Sequence, residues 1–440
     1  MRRIVGIRVK SDILAVNGQK TLAFEIVSSS LCSHTTNMPR FLTLFFVFIS
    51  FVATGQTITV SARVIDKDTK EPLVFASVGI KDKAVGTITN LQGEFDFHIS
   101  AEYRNELLVI SILGYKSFEA EVGTLLATPD QLIELERTTF VLQEVVVKDS
   151  LTGGDVLRIA LSRIDQNYPS GPYLMDGFYR DVKKVGGTYI SLLEAATKIY
   201  DEDYHAPRNK FKLRERVALM EVRRSLGYGN KFTSFFEQDN LLEELLLQNS
   251  IKYRQFPEED IFYDSLRREP DSYYDGHDIF VLSHSQDYNL KVYVDKTNFG
   301  IVHLEFESDD HAVVTKRRGM ISRFVHLKRT VDFRQYKGKF YLNYIALDSR
   351  INWYDLKTND LKFETELFQN LLINKVEPET TERIGTTEKM RSYGLQYQDL
   401  PYNKEFWANY NVIKDSPLDK KIVEDLEKFG PLEKQFQDNR

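Results

Sequence analysis

The chain has 440 residues, 42% of them apolar and 28% charged, which is enough for two or three packed domains and too apolar for long disorder. Its formal net charge of −6 lacks the clustered positive excess of a nucleic-acid-binding protein, so that class is set aside. The 29 Phe and 23 Tyr favour β-sheet, where aromatic rings pack well on a pleated surface.

In chain order, residues 1–37 read as an upstream extension, because Met38-Pro39-Arg40 has the character of a start. Residues 38–55 read as a signal peptide. Arg40 leads into the uncharged apolar run from Phe41 to Ala53, and Ala53-Thr54-Gly55 supplies small residues for cleavage. That run is short for a membrane span, so no transmembrane helix is expected after cleavage. The single cysteine, Cys32, lies upstream of the run. The processed chain is therefore expected to lack disulfides, thiolate metal sites and a cysteine nucleophile.

Residues 57–148 read as short strands. Val60, Ala62 and Val64 alternate with polar neighbours, as do Ala76, Val78 and Ile80, and then Phe95, Phe97 and Ile99. Leu107 to Ile110 is continuously apolar and predicts a strand buried on both faces. Turns fall at Asp66-Lys67-Asp68-Thr69, Gly86-Thr87, Asn90-Leu91-Gln92-Gly93 and Gly114-Tyr115. Gly86, Gly93 and Gly114 stand where a turn or bulge needs positive φ or close backbone approach.

The strings Lys70-Glu71-Pro72-Leu73-Val74-Phe75-Ala76-Ser77-Val78 and Gly86-Thr87-Ile88-Thr89-Asn90-Leu91-Gln92-Gly93-Glu94-Phe95 resemble the carboxypeptidase regulatory-like domain. Ile112-Leu113-Gly114-Tyr115 and Leu142-Gln143-Glu144-Val145-Val146-Val147 extend the likeness over about ninety residues. The resemblance implies a seven-stranded transthyretin-like β-sandwich with an accessory, non-catalytic role. It also implies a Gram-negative envelope setting, in the periplasm or at the outer membrane, where such domains precede the plug of TonB-dependent receptors. Lys148 onward does not read as a plug. A barrel of about twenty-two strands, about ten residues each, would use most of the remaining chain.

Asp149 to Gly154 reads as a linker, followed by a second domain over 155–410 and a helical tail over 411–440. Asp155 is expected to cap a helix running to Gln166, and Tyr173 to Ile199 to form a hairpin at Gly186-Gly187. Asn240 predicts a cap for a helix to Gln248, whose leucines either pack on a sheet or form a lid over an apolar cavity. Ile279 to Val376 predicts an antiparallel meander, with turns at Asp295–Gly300 and Lys337-Gly338. Its pattern resembles the sheet of periplasmic lipoprotein-carrier and sensor domains. In the tail, Ser416-Pro417 starts a helix with an Ile422, Val423, Leu426 stripe, stopped by Gly430-Pro431. The fold class is thus mainly β, a sandwich followed by an antiparallel-sheet domain with a few helices.

Five histidines, His277, His284, His303, His311 and His326, fall within fifty residues of one another. His303 and Glu305 alternate along a strand and would reach a common metal from one face. The His-Glu-x-x-His and Gly-x-Ser-x-Gly motifs are absent, and His284-x-x-Asp287 is the nearest approach to a zinc peptidase pattern. Lys316-Arg317-Arg318 with Arg323, Lys328 and Arg329 would meet anionic lipid or glycan, or simply form a solvated loop beside Asp309 and Asp310. No catalytic, cofactor-binding or metal residue is assigned. The expectation is a non-enzymatic envelope protein that binds a hydrophobic or glycan ligand or a protein partner. The alternatives are a hydrolase with a non-local site and an adaptor beside TonB-dependent uptake.

Overall fold

In the computed structural model, which describes residues 57–128, 131–138, 151–229, 231–236, 240–310, 312–390, 394–398, 400–414 and 417–438, alternation is converted directly into layers. The extension 1–37, the signal segment 38–55, Leu142–Val147, the start of the linker, His311 and the Ser416 cap lie outside the described residues. Seven strands form the first module: β1 (Thr57–Asp66), β2 (Ser77–Ile80), β3 (Gly86–Ile88), β4 (Glu94–Ser100), β5 (Leu107–Ser111), β6 (Phe118–Glu121) and β7 (Gln131–Leu135). A β4-β1-β7 sheet faces a β3-β2-β5-β6 sheet. Val60, Val64, Val78, Phe95, Phe97, Leu108 and Ile110 fill the space between them.

One hub joins two of the sequence turns. The Asp66 carboxylate accepts hydrogen bonds from Asp68 N (2.7 Å), Thr69 N (2.9 Å), Tyr115 Oη (2.7 Å) and Arg137 Nε (2.5 Å). The Thr69 backbone bond first, then Tyr115 and Arg137, hold its carboxyl well below the usual carboxylate range. Gly93 and Gly114 do adopt positive φ (74° and 82°), whereas Gly86 answers a need for close approach. The two-faced burial expected of Leu107–Ile110 is corrected. Leu108 and Ile110 are buried while Leu107 and Val109 are partly exposed, because the outer face of this sheet borders a polar cleft lined by Val109, Lys81 and Arg334.

Downstream, eleven antiparallel strands form one sheet: β8 (Tyr173–Val185), β9 (Thr188–Asp201), β10 (Arg216–Arg224), β11 (Arg267–Tyr274), β12 (His277–Ser285), β13 (Asn289–Asp295), β14 (Ile301–Ser308), β15 (Val313–Arg317), β16 (Met320–Tyr336), β17 (Lys339–Asp355) and β18 (Leu361–Pro378). The order is β10-β9-β8-β18-β17-β16-β14-β13-β12-β11, with β15 added beside the far end of β16. The β8–β9 turn carries positive φ at both Gly186 (55°) and Gly187 (85°), as a two-residue hairpin demands.

The helices Gly153–Ser162 and Leu241–Leu247 cover one face of this sheet. Leu241, Leu242, Leu245 and Leu246 are buried in the main core with Tyr179, Ile345 and Leu371, so the lid expectation gives way to ordinary helix-on-sheet packing. The helix expected from Asp155 to Gln166 starts at Gly153, two residues into the expected linker, and ends at Ser162 before a single further turn, Ile164–Asn167. Thr152 is the cap and Asp155 its reciprocal partner, with Asp155 N donating to Thr152 Oγ1 (3.1 Å) and Thr152 N to Asp155 Oδ2 (2.9 Å). Glycine is needed at 153 and 154 because a Cβ would lie 2.6 Å from Leu266 O and Tyr263 O respectively.

Along β8 the alternate residues Phe178, Arg180 and Val182 point to the opposite face. The sandwich and the C-terminal segment cover that face, with Ile88, Phe178, Tyr344, Leu372, Trp407 and Ile413 forming a shared core. Several contacts fix the sandwich in place. Val376 N donates to Ala84 O (2.8 Å), Gly114 N to Tyr273 O (2.8 Å) and Arg334 Nη1 to Val85 O (3.1 Å). The Asn411 side chain accepts from His98 N (2.7 Å) and donates to His98 O (2.9 Å) on edge strand β4, and Lys414 pairs with Asp96 (2.9 Å). The helix Pro417–Leu426 then docks Ile422 and Leu426 on Val182, Tyr189 and Leu192, and Gly430 (φ 111°) follows it. Among the described residues no helix is long and apolar enough to cross a membrane.

Candidate functional site

The histidines do not converge. His277 pairs with Asp295 (2.8 Å), His326 with Asp309 (2.6 Å) and His284 with Ser265 (2.7 Å). His303 stands between Asp332 (Nδ1, 3.0 Å) and Glu305 (Nε2, 3.3 Å). Both its ring nitrogens face carboxylates, which suits an imidazolium and leaves no lone pair for a metal. Among the described residues no group of three or more His, Cys, Asp or Glu side chains is placed to hold a metal ion.

Burial pulls the His303 pKa down, but the hydrogen bonds to Asp332 and Glu305 outweigh it and raise it to about 9. Since the folded pKa lies above the ordinary value near 6.5, this cluster stabilises fully below that pH and loses its contribution as pH rises through about 9. Urea unfolding of the parent and of His303→Gln from pH 6 to 10 is expected to show their difference shrinking with rising pH, by about 2–3 kcal/mol. A constant difference would refute the imidazolium assignment.

Ser265 Oγ donates to Phe262 O (2.6 Å) and lies 2.7 Å from His284 Nδ1. The basic cluster is likewise divided. Arg329 turns inward, donates to Gln248 Oε1 (2.9 Å) and is lowered by burial to about 10, while Lys328 faces the opposite side of the sheet. Arg317 donates to Ser234 O, and Arg318 lies 5.6 Å from the Phe235 ring centre.

A cleft of about 410 Å³ opens where the sandwich crosses the outer sheet face. Its walls are Phe75 and Leu91 from the sandwich, Val182, Tyr344 and Phe368 from the sheet, and Ile413 from the C-terminal segment. Phe75 is 40% exposed and Leu91 38%, both at the cleft. The Phe75 ring lies 5.2 Å from that of Tyr344. Its backbone holds φ at 58°, a left-handed conformation costly for a bulky residue. Thr89 enforces it, since Thr89 Oγ1 accepts from Ala76 N (2.8 Å) and donates to Leu73 O (2.6 Å), while Phe75 N donates to Thr89 O (3.2 Å).

Polar groups occupy the cleft floor. Tyr344 donates to Asn370 Oδ1 (2.5 Å), and burial pushes the Asp348 carboxyl up, with its Oδ1 finding no hydrogen-bond partner among the described residues. Arg180 also lines the cleft, and outside the lining it shares Glu194 with Arg223, both donating to that carboxylate (2.6 and 2.5 Å). Burial alone would raise Glu194, but Arg223 and Arg180 pull it below the usual range. None of these cleft residues was assignable from sequence. Phe75 reads there as one more apolar residue before a strand, and only its inverted φ turns the ring outward.

The matched region coincides with the sandwich. Residues 60–147 match the CarboxypepD_reg-like domain family. The chain is also 34% identical over 114 residues to the TonB-dependent receptor SusC of Bacteroides thetaiotaomicron, covering 24% of this chain and 10% of the receptor. It thus spans a tenth of that receptor's length. Among solved structures it is similar to a LolA superfamily protein, NE2245 from Nitrosomonas europaea (15% identity, 53% of this chain and 96% of that one, TM-score 0.19). The Pseudomonas aeruginosa MucA/MucB complex is another (9% identity, 52% and 99%, TM-score 0.18). The carboxypeptidase regulatory-like domain, as found in TonB-dependent receptors, is therefore present at residues 60–147 of a mostly β chain.

Proposed function

We propose that this is a non-enzymatic, secreted cell-envelope protein that binds an apolar ligand in the cleft between its sandwich and its large sheet. The observation that carries this reading is the cleft's joint construction. The sandwich contributes Phe75 in a costly backbone conformation and Leu91, both left exposed beside the Tyr344 and Phe368 walls of the sheet. Its volume of about 410 Å³ lies within the range of small-molecule sites. The likeness to SusC supports an envelope setting, and work beside TonB-dependent uptake is the corresponding proposal for its partners.

The neutral dye N-phenyl-1-naphthylamine, titrated into the purified protein, is expected to bind saturably with enhanced fluorescence. Phe75→Ala combined with Leu91→Glu should weaken that binding about tenfold or more, as loss of one buried aromatic contact predicts. Undiminished binding by the double variant would remove the cleft from the account. Hydrolysis of peptides or esters at enzyme-like rates, abolished by His284→Gln, would replace binding with catalysis.

A further inference from the structure

The far end of the large sheet carries a feature the cleft does not use. Strand β15 is exposed along its whole length and, among the described residues, pairs with β16 alone. It ends in the two-residue turn Arg318-Gly319, both at positive φ (50° and 77°). The β17–β18 turn lies beside it, because Met320 pairs with Asp355 and Leu356 N donates to Gly319 O (2.9 Å). The β17–β18 turn projects Leu356 (48% exposed) and Leu361 (56%), and the opposite end of β15 exposes Val313 (54%) and Val314 (51%). Around these stand Lys316, Arg317, Arg318, Arg323, Lys357 and Lys362.

Asp360 is an exposed carboxylate in the β17–β18 turn, and the other acidic groups nearby are engaged. Asp355 accepts from Lys357 N (2.9 Å) and Thr358 N (3.1 Å) and lies 3.8 Å from Lys362. Asp309 pairs with His326, and Asp310 accepts from Ala312 N (3.0 Å). Residues 313–323 and 355–362 carry six cations against the two carboxylates Asp355 and Asp360, so a positive region stands out on a chain whose net charge is −6. Lysine on an edge strand is a common guard against strand pairing, but it does not account for four exposed aliphatic side chains beside it. Exposed aliphatic side chains interspersed with cations match an anionic bilayer surface, with apolar groups entering the interface and cations meeting phosphates.

We propose that the β15–β16 and β17–β18 turns dock this protein on an anionic lipid bilayer. Flotation of the purified protein with vesicles tests it. Vesicles of phosphatidylcholine and phosphatidylglycerol in equal parts should carry the protein, and pure phosphatidylcholine should not. Lys316→Glu with Lys357→Glu should cut binding to the anionic vesicles by about tenfold or more. Val314→Asp with Leu356→Asp should abolish it even at low salt. All four positions are exposed, so unchanged thermal unfolding of the variants checks that the fold is intact. Binding to neither vesicle, equal binding to both, or binding that survives both double variants overturns the proposal. Dye binding in the cleft is unaffected by any of these outcomes.

Discussion

Gly86→Ala is expected to loosen the sandwich from the large sheet and to destabilise the protein by about 3 kcal/mol, the upper part of the range for overpacking. A Cβ at this position would lie 1.8 Å from Arg334 Nη1 and 2.7 Å from Val78 O. The guanidinium is free to swing on its side chain, but the carbonyl belongs to the neighbouring strand β2 and moves only with the ladder. Displacing Arg334 also removes its bond to Val85 O and its packing under Gly79, where a Cβ would stand 2.9 Å from the same nitrogen. Urea unfolding of Gly86→Ala beside Gly171→Ala, where a Cβ meets nothing within 4 Å, provides the comparison. Equal midpoints for the two variants would show that the junction is not held in this way.

The second large effect is expected at Lys252. This ammonium is buried with its partners Asp201 and Glu215, reaching Asp201 and, at 2.9 Å, Glu215 Oε1. Tyr173 and Tyr253 donate to the same two carboxylates. Burial already raises the Asp201 carboxyl even with Lys252 opposing it. Lys252→Met leaves two carboxylates without their cation in a dry core, a change that costs about 3–5 kcal/mol. The sign of its pH dependence follows. Carboxyls whose folded pKa is raised lose stability as pH climbs above their unfolded value, near 4. The deficit of Lys252→Met should therefore grow from pH 4 toward pH 7, and Asp201→Asn in the same chain should restore part of it. A deficit independent of pH would mean that lost packing, not unpaired charge, is the cause.

Where the sequence alternates over many residues, the fold is legible. The sandwich strands through Val60–Val64, Ala76–Ile80 and Phe95–Ile99, the hairpin at Gly186-Gly187 and the meander to Val376 follow from period-two patterning, the full count of seven strands comes with the family resemblance, and Asn240 does cap its helix. Helix starts are less so. Thr152 outcompetes Asp155 as cap because Gly153 and Gly154 let the first turn press against Leu266 and Tyr263, a tertiary contact that no local pattern encodes. The candidate site was illegible for a related reason. Phe75, Leu91, Tyr344 and Ile413 come together only through packing between modules. The described members of the histidine group, prominent in sequence, separate because His277 and His284 stand at opposite ends of β12, His303 on β14 and His326 on β16, and each finds its own acidic or hydroxyl partner.

Asn411 meets both polar groups of His98 across 313 residues of chain. During synthesis, strand β4 is complete long before the side chain that occupies its outer edge exists. Until then, that edge presents free N–H and C=O groups to any passing strand, and closure waits on one of the most distant contacts in the molecule. The order of chain emergence thus gives the sandwich an interval in which its open rim is reactive, and Asn411 ends it.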